Sequence, residues 1–221
     1  MTYVHYHKLA SQGVQFRDRQ AYDFYPTNDE HVLEQLSWVT VNPKAILDTG
    51  TGLGIYGYYV RKLFPKAELF GVEYNLAMPL MNWYDHTVRA DYLDMIPSPL
   101  FDLIIGNPPY DQAESFVCQS LKFLKNDGEL IYLLPLNFLA SMGRYTLFVH
   151  EYPLEQVIIC SDRPSFTGDG KTDSREYAFF KWKRNNQTAS TIHWALSYPR
   201  NKDKYGNFQN SLFKDVEDTD A

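Results

Sequence analysis

The chain has 221 residues, 44% of them apolar and 22% charged, with a formal net charge of -6. That is enough for one domain with a full core, and it excludes a fibrous repeat or a wholly disordered chain. The negative balance also excludes a protein that holds nucleic acid by bulk electrostatics, although Lys181, Lys183, Arg184, Arg200, Lys202 and Lys204 face only Asp203 in one local basic stretch.

No apolar run approaches the ~20 residues of a membrane helix, and the start M-T-Y-V-H-Y-H-K lacks the apolar core of a signal peptide. The expectation is a cytoplasmic protein without membrane contact. Cys118 and Cys160 make neither a disulfide framework nor a metal-ligand spacing, so both read as reduced thiols, and no metal site is expected. His5 and His7 have no third partner and read as part of a polar N-terminal segment.

The predicted elements alternate strand and helix. A45-I-L-D48 is a strand, and I55-Y-G-Y-Y-V-R-K-L-F64 has helical spacing and is stopped by Pro65. A67-E-L-F-G-V-E73 is a second strand, a helix is predicted through Met78 to His86, and T87-V-R-A-D91 is a short third strand. Phe101 to Gly106 is a fourth strand, S115 to K125 a helix ended by N126-D-G128, and E129-L-I-Y-L-L134 a fifth strand. After a further helix near Phe138 to Val149, L154-E-Q-V-I-I-C160 and Y177-A-F-F-K-W-K183 are strands joined by a Gly-rich polar loop, which predicts a long hairpin. Alternation of this kind means βαβ units around a parallel sheet.

Asp48 ends its strand and runs into Gly50, Gly52 and Gly54 before a helix. Glycines there let a backbone approach a nucleotide-like ligand where side chains would collide, although a tight strand-to-helix turn needs the same residues. Glu73, at the end of the next strand, stands where a carboxylate can take both hydroxyls of a ribose. A nicotinamide cofactor and a sulfonium nucleoside both fit these features.

The apolar run F101-D-L-I-I-G106 ends abruptly in N107-P-P-Y110. Neither Pro108 nor Pro109 has an N–H for the ladder, so the strand must stop. A rigid turn follows, carrying the Asn107 carboxamide, a backbone carbonyl and the ring of Tyr110.

On these residues the chain resembles the S-adenosylmethionine-dependent amino-methyltransferases, and most closely the N6-adenine DNA methyltransferases with the signature (D/N/S)-P-P-(Y/F/W). The resemblance covers about residues 21 to 183. D48-T-G-T-G-L-G54 stands where that family has D-x-F-x-G-x-G, with Gly50 in place of the aromatic, and F24-Y-P-T27 is similar to the segment that folds over the methionine end of the cofactor. Asp91 matches the acid that holds the adenine amino group of the cofactor, and Phe166 in S165-F-T-G168 matches the second stacking aromatic.

The resemblance implies an α/β fold of the class I methyltransferase, Rossmann-like type, with a mostly parallel seven-stranded sheet ending in an antiparallel hairpin. It implies S-adenosyl-L-methionine as cofactor, held by Tyr25, Pro26, Thr27, Asp48, Gly50, Gly52, Gly54, Glu73, Asp91 and Asn107. It gives catalysis to Asn107, Pro108, Pro109, Tyr110 and Phe166. The reaction implied is methyl transfer to the N6 amine of adenine in DNA, with single-stranded DNA or RNA as alternative partners. Glutamine in a protein presents a comparable planar amine and stays open, as does a non-catalytic cofactor-binding subunit. Tyr110 and Phe166 also admit a reading as core aromatics, which their Pro- and Gly-rich loops weaken, and Asp91 one as a local cap or bridge.

Residues 1–184 are expected to form the catalytic domain with its cofactor-covering segment, and 185–221 a C-terminal arm and acidic tail. With no separate recognition domain expected, a protein partner for sequence recognition is a further expectation.

Overall fold

A computed structural model of the protein describes residues 27–146, 148, 151–164, 166, 173–186 and 188–195. Tyr25, Pro26 and the chain beyond Ala195, the greater part of the arm and acidic tail expected over 185–221, lie outside the described residues.

The elements are α1 (Asp29–Ser37), β1 (Ala45–Asp48), α2 (Ile55–Leu63), β2 (Glu68–Glu73), β3 (His86–Arg89), β4 (Phe101–Gly106), α3 (Ala113–Phe123), β5 (Leu124–Pro135), α4 (Met142–Thr146), β6 (Leu154–Cys160), β7 (Tyr177–Lys183) and β8 (Thr191–Ala195). The strands form one sheet in the order β3-β2-β1-β4-β5-β7-β6-β8. β1 to β5 pair in parallel, whereas β7 pairs antiparallel with both β5 and β6, which is the expected hairpin.

Successive strand residues serve opposite faces of the sheet. Ile46, Leu103, Ile105, Ile131, Leu133 and Phe179 pack with Val32 and Leu36 of α1 and Tyr56, Tyr59 and Val60 of α2. Their neighbours Leu47, Ile104, Leu130, Tyr132, Leu134 and Phe180 pack with Phe116, Val117 and Leu121 of α3. A strand apolar on both faces has to be covered on both, and this explains the continuous apolar runs.

Four elements differ from the sequence expectation. No helix forms between Met78 and His86; Pro79 has no N–H to give, and the Arg89 guanidinium binds the carbonyls of Asn75 and Met78 that a helix would have used. The third strand ends at Arg89, because Asp91 caps a 3-10 turn, Tyr92–Asp94, by accepting from Leu93 N at 2.9 Å. The helix near 138–149 is reduced to a 3-10 turn, Leu136–Leu139, and the short α4. An eighth strand, β8, lies parallel to β6 at the sheet edge with Ile192 and Trp194 exposed. Neither cysteine forms a disulfide; Cys160 is buried and Cys118 half-buried. Among the described residues no helix is long and apolar enough to cross a membrane.

At the end of the sheet away from the β1 and β4 tips, Lys181 and Glu129 are both 0% exposed, with Nζ 3.0 Å from Oε1. Lys181 also donates to Trp38 O at 3.1 Å and Thr40 Oγ1 at 3.3 Å, and Thr40 N donates to Glu129 Oε2 at 2.9 Å. The pair thus fastens the chain after α1 to β5 and β7. Removing Lys181 strands the buried Glu129 charge, whereas removing both leaves only Glu155, whose Oε2 lies 3.5 Å from Nζ and whose side chain is 21% exposed. Urea unfolding should show Lys181→Met destabilised by about 3–5 kcal/mol, with most of the loss recovered in the Lys181→Met/Glu129→Leu double variant. A double variant no more stable than the single one would contradict this account.

Candidate active site

The strand order reverses between β1 and β4. From β1 the chain runs outward through β2 to β3, then returns to lay β4 along the other side of β1. Asp48 pairs with Ile105, so the segments leaving β1 and β4 emerge side by side at their C-terminal tips. A crevice at such a reversal is where open α/β sheets bind ligands.

From β1 emerges the glycine loop. Gly52 has φ +49° and Gly54 φ +79°, so the chain turns sharply into α2 through left-handed conformations that glycine adopts without strain. At Gly54 a Cβ would also lie 2.6 Å from Met81 Cγ. At Gly50, by contrast, a Cβ would have nothing within 4 Å, so the absent aromatic leaves open space beside the loop. Glu73, buried at the tip of β2, closes the other side of that loop: Oε2 accepts from Gly52 N at 2.7 Å and Thr51 Oγ1 at 3.3 Å, and Oε1 from Asn75 N at 2.8 Å. These glycines, the space at Gly50 and the Glu73 carboxylate fit a nucleoside cofactor.

Asp48 lies beneath the loop with no exposed surface. Its Oδ2 accepts from Tyr84 Oη at 2.6 Å and its Oδ1 from Gly50 N at 3.2 Å. Burial pushes its carboxyl up to about 7, against those two hydrogen bonds and with the Glu73 charge adding to the rise. The Tyr84 ring reaches Asp48 because Gly57 and Gly71 leave it room; a Cβ would come within 2.6 Å and 2.8 Å of the ring at those positions. On the other side of the tip, Tyr132 Oη donates to Thr49 Oγ1 at 3.0 Å and is joined through Ser120 to Tyr92.

From β4 emerges the Asn-Pro-Pro-Tyr turn. Asn107 Nδ2 donates to Thr27 Oγ1 at 3.1 Å, and Gln112 N donates to the Pro109 carbonyl at 3.2 Å. Pro108 is buried and Pro109 half-buried. The Tyr110 ring meets Phe166 edge-on, at 6.5 Å and 62°, and Tyr177 at 5.6 Å and 48°, while Phe166 and Tyr177 meet at 5.2 Å and 72°. Burial pushes the Tyr110 phenol well up, followed by the charge of Tyr177.

The structure therefore brings Thr27, Asp48, Gly50, Gly52, Gly54, Glu73, Asn107, Pro108, Pro109, Tyr110 and Phe166 to the tips of neighbouring strands. Asp91 stands just beyond β3, with Ala90 N bound to Glu73 O at 3.3 Å, and its carboxylate caps the 3-10 turn. Three residues beneath the site carry no sequence motif: Gln35, Tyr56 and Tyr84, all buried. Gln35 gives one usable signal, a carboxamide between Val32 and Leu36 on the apolar stripe of α1.

No family model matches the chain. A stretch of 127 residues is 27% identical to ribosomal RNA small subunit methyltransferase C of Buchnera aphidicola subsp. Baizongia pistaciae (strain Bp), covering 50% of this chain and 39% of that relative. The chain thus spans well under half of that relative's length. Among solved structures, it is similar to the predicted O-methyltransferase Atu636 from Agrobacterium tumefaciens, with TM-score 0.58, 17% identity, and coverage of 75% of this chain and 86% of that one. The chain has the class I methyltransferase fold. A structure concerned with complex assembly and conformational transition of the type I R-M system matches 91% of this chain and 51% of its own, with TM-score 0.57 and 15% identity.

The raised Asp48 carboxyl makes stability pH-dependent. Between about pH 4 and pH 7 the folded chain holds a proton that the unfolded chain has released, so stability falls as pH rises through that window and levels off above it. Asp48→Asn keeps an acceptor for Tyr84 and removes the titration. Urea unfolding at pH 5 and pH 8 should show the stability loss between the two reduced by about 2–3 kcal/mol in the variant. An unaltered difference would mean that Asp48 is ionised throughout.

Proposed function

We propose that the chain transfers a methyl group from S-adenosylmethionine to the exocyclic N6 amine of adenine in nucleic acid, with DNA as the first substrate. The observation that carries this reading is the Asn107–Tyr110 turn at the tip of β4, set beside the glycine loop of β1. When bound, S-adenosylmethionine supplies an electrophilic methyl group on a sulfonium.

The residues divide the remaining work. Thr27 lies against Asn107, and with Tyr25 and Pro26 it would cover the methionine end of the cofactor. Gly50, Gly52 and Gly54 let the backbone come close, and Asp48 supports the loop from below. Glu73 would bind the ribose hydroxyls; three donors already reach its carboxylate, and the Thr51 hydroxyl at 3.3 Å is the longest and the easiest to displace. Asp91 would take the adenine amine of the cofactor through the carboxylate oxygen that does not cap Leu93 N.

An adenine amine is a poor nucleophile because its lone pair is delocalised into the ring. Asn107 Oδ1 and the Pro108 carbonyl accept its two hydrogens, favour a pyramidal nitrogen and release the lone pair. The Pro109 carbonyl already accepts from Gln112 N at 3.2 Å. Positioning and fixed dipoles carry the rate, and no covalent enzyme intermediate is needed. Tyr110 and Phe166 flank the base, which leaves any duplex to reach the site.

RNA is the second reading, favoured by the likeness to a ribosomal RNA methyltransferase. Methyl-deuterated S-adenosylmethionine, offered with duplex DNA, single-stranded DNA, RNA or a release factor, distinguishes the readings. Mass spectrometry should find labelled N6-methyladenine in the DNA. Label only in RNA would move the assignment to RNA, and label in glutamine or nowhere would defeat it. Asn107→Ala should lower the rate by about 10²–10³-fold and leave cofactor affinity within about threefold.

A further inference from the structure

The Asn107 carboxamide belongs to a closed circuit of hydrogen bonds that leaves and re-enters the chain at one peptide. Asn107 Nδ2 donates to Thr27 Oγ1 at 3.1 Å. The Thr27 hydroxyl lies beside the Tyr56 phenol and works against the burial that pushes that phenol up. Tyr56 Oη donates to Gln35 Oε1 at 2.6 Å. Gln35 Nε2 donates to Ile131 O at 2.8 Å and to Gly106 O at 3.3 Å, and Gly106 directly precedes Asn107.

The sense of this circuit follows from proton counting. A backbone carbonyl can only accept, so the two carbonyls must face the amino end of Gln35. Its carbonyl end therefore faces Tyr56, whose one proton goes there. Tyr56 must then accept from Thr27, and Thr27, its own proton spent, must accept from Asn107. The amino end of Asn107 is thus turned to Thr27, and Oδ1 to the other side. Reversing any member sets two donors or two acceptors against each other in a place shielded from water: Gln35 has no exposed surface, and Thr27 and Tyr56 are 4% and 3% exposed.

We propose that Gln35 and Tyr56 are positioning residues that fix which end of the Asn107 carboxamide faces the substrate amine, with the carbonyls of Gly106 and Ile131 setting the sense. This assignment rests on the role given to Asn107 above. Neither residue touches substrate; both act through Thr27 and the Gly106 peptide. A flipped carboxamide would present two protons to an amine that also carries protons, and methyl transfer would lose its acceptor.

Tyr56→Phe removes a single oxygen and cuts the circuit on both sides of residue 56, while the ring stays in the core. Two readouts test it on the full chain. The first is the side-chain NH2 signal of Asn107 in a 15N spectrum, assigned by its absence in Asn107→Ala. In the unaltered chain its protons should be protected from exchange, and in Tyr56→Phe they should shift and lose protection. The second is the split of kinetic constants, with kcat lowered on the order of 10- to 100-fold and the cofactor dissociation constant within about threefold.

Should Tyr56→Phe not fold, Thr27→Val cuts the same circuit one link further on and should shift and deprotect the Asn107 signal likewise, a readout that needs no cofactor. Unchanged Asn107 protons, or an unchanged kcat in an active enzyme, would overturn the inference. If the unaltered chain transfers no methyl group to any substrate, the proposed function fails instead, and the Asn107 signal alone decides whether the circuit orients the carboxamide.

Discussion

The parallel pairing of β1 with β4 is the constraint on which the rest depends. These strands lie side by side although two strands and their connections separate them in sequence. Because β2 was laid on the opposite edge of β1, the loops leaving β1 and β4 diverge to opposite faces of the sheet and leave a crevice between them. The register Asp48↔Ile105 puts the last residue of β1 one step below Gly106. Gly106, at φ +155°, has room for no side chain there: a Cβ would lie 2.9 Å from Thr49 Oγ1. The two motifs are therefore joined at backbone distance.

Such a junction has to be dry and polar at once, and burying polar groups is costly unless each finds a partner. The fold answers with local, matched sets. Asp48 has Tyr84 and Gly50 N; Thr49 has Tyr132, which Ser120 joins to Tyr92; Gln35 has two carbonyls and Tyr56. Phenols supply most of these donors, and this gives part of the high tyrosine content a specific role: a tyrosine spans the width of a core layer with an apolar ring and delivers one hydroxyl at its end. The glycines at 57 and 71 serve the same purpose, since Tyr84 could not pass between α2 and β2 without them.

What the sequence made legible was whatever depends on neighbours along the chain. Apolar runs such as Ile46–Leu47 and Leu103–Ile105 marked strands, prolines after Asn107 marked an end, and glycines after Asp48 marked a turn. The segment Met78–His86 misled because its apolar spacing resembles a helix, whereas its first carbonyl, with that of Asn75 before it, is claimed by Arg89, a residue further along the chain. The polar support of the site was harder still. Gln35 meets Gly106 across 71 positions and Ile131 across 96, and Tyr84 meets Asp48 across 36. Nothing local distinguishes these residues from an ordinary helix glutamine or core tyrosine. Only the register of β1, β4 and β5, once known, makes their partners evident.

The aromatic side of the crevice follows the same logic of shared constraint. Tyr110 packs against the hydrophobic clusters on both faces of the sheet, so its ring closes the gap between them at the tip of β4. Its ring meets that of Tyr177 at 5.6 Å, and Tyr177 Oη donates to Asp173 Oδ2 at 2.7 Å on the segment that leads into β7. The carboxamide and the ring of the Asn-Pro-Pro-Tyr turn are thus both held from outside the turn, the one by Thr27 and the other by Tyr177. Phe166 meets this assembly through ring edges, at 6.5 Å from Tyr110 and 5.2 Å from Tyr177. A flat base placed against Tyr110 needs a second ring parallel to it. The Tyr110 and Phe166 planes meet at 62°, so that arrangement requires one of the two rings to turn.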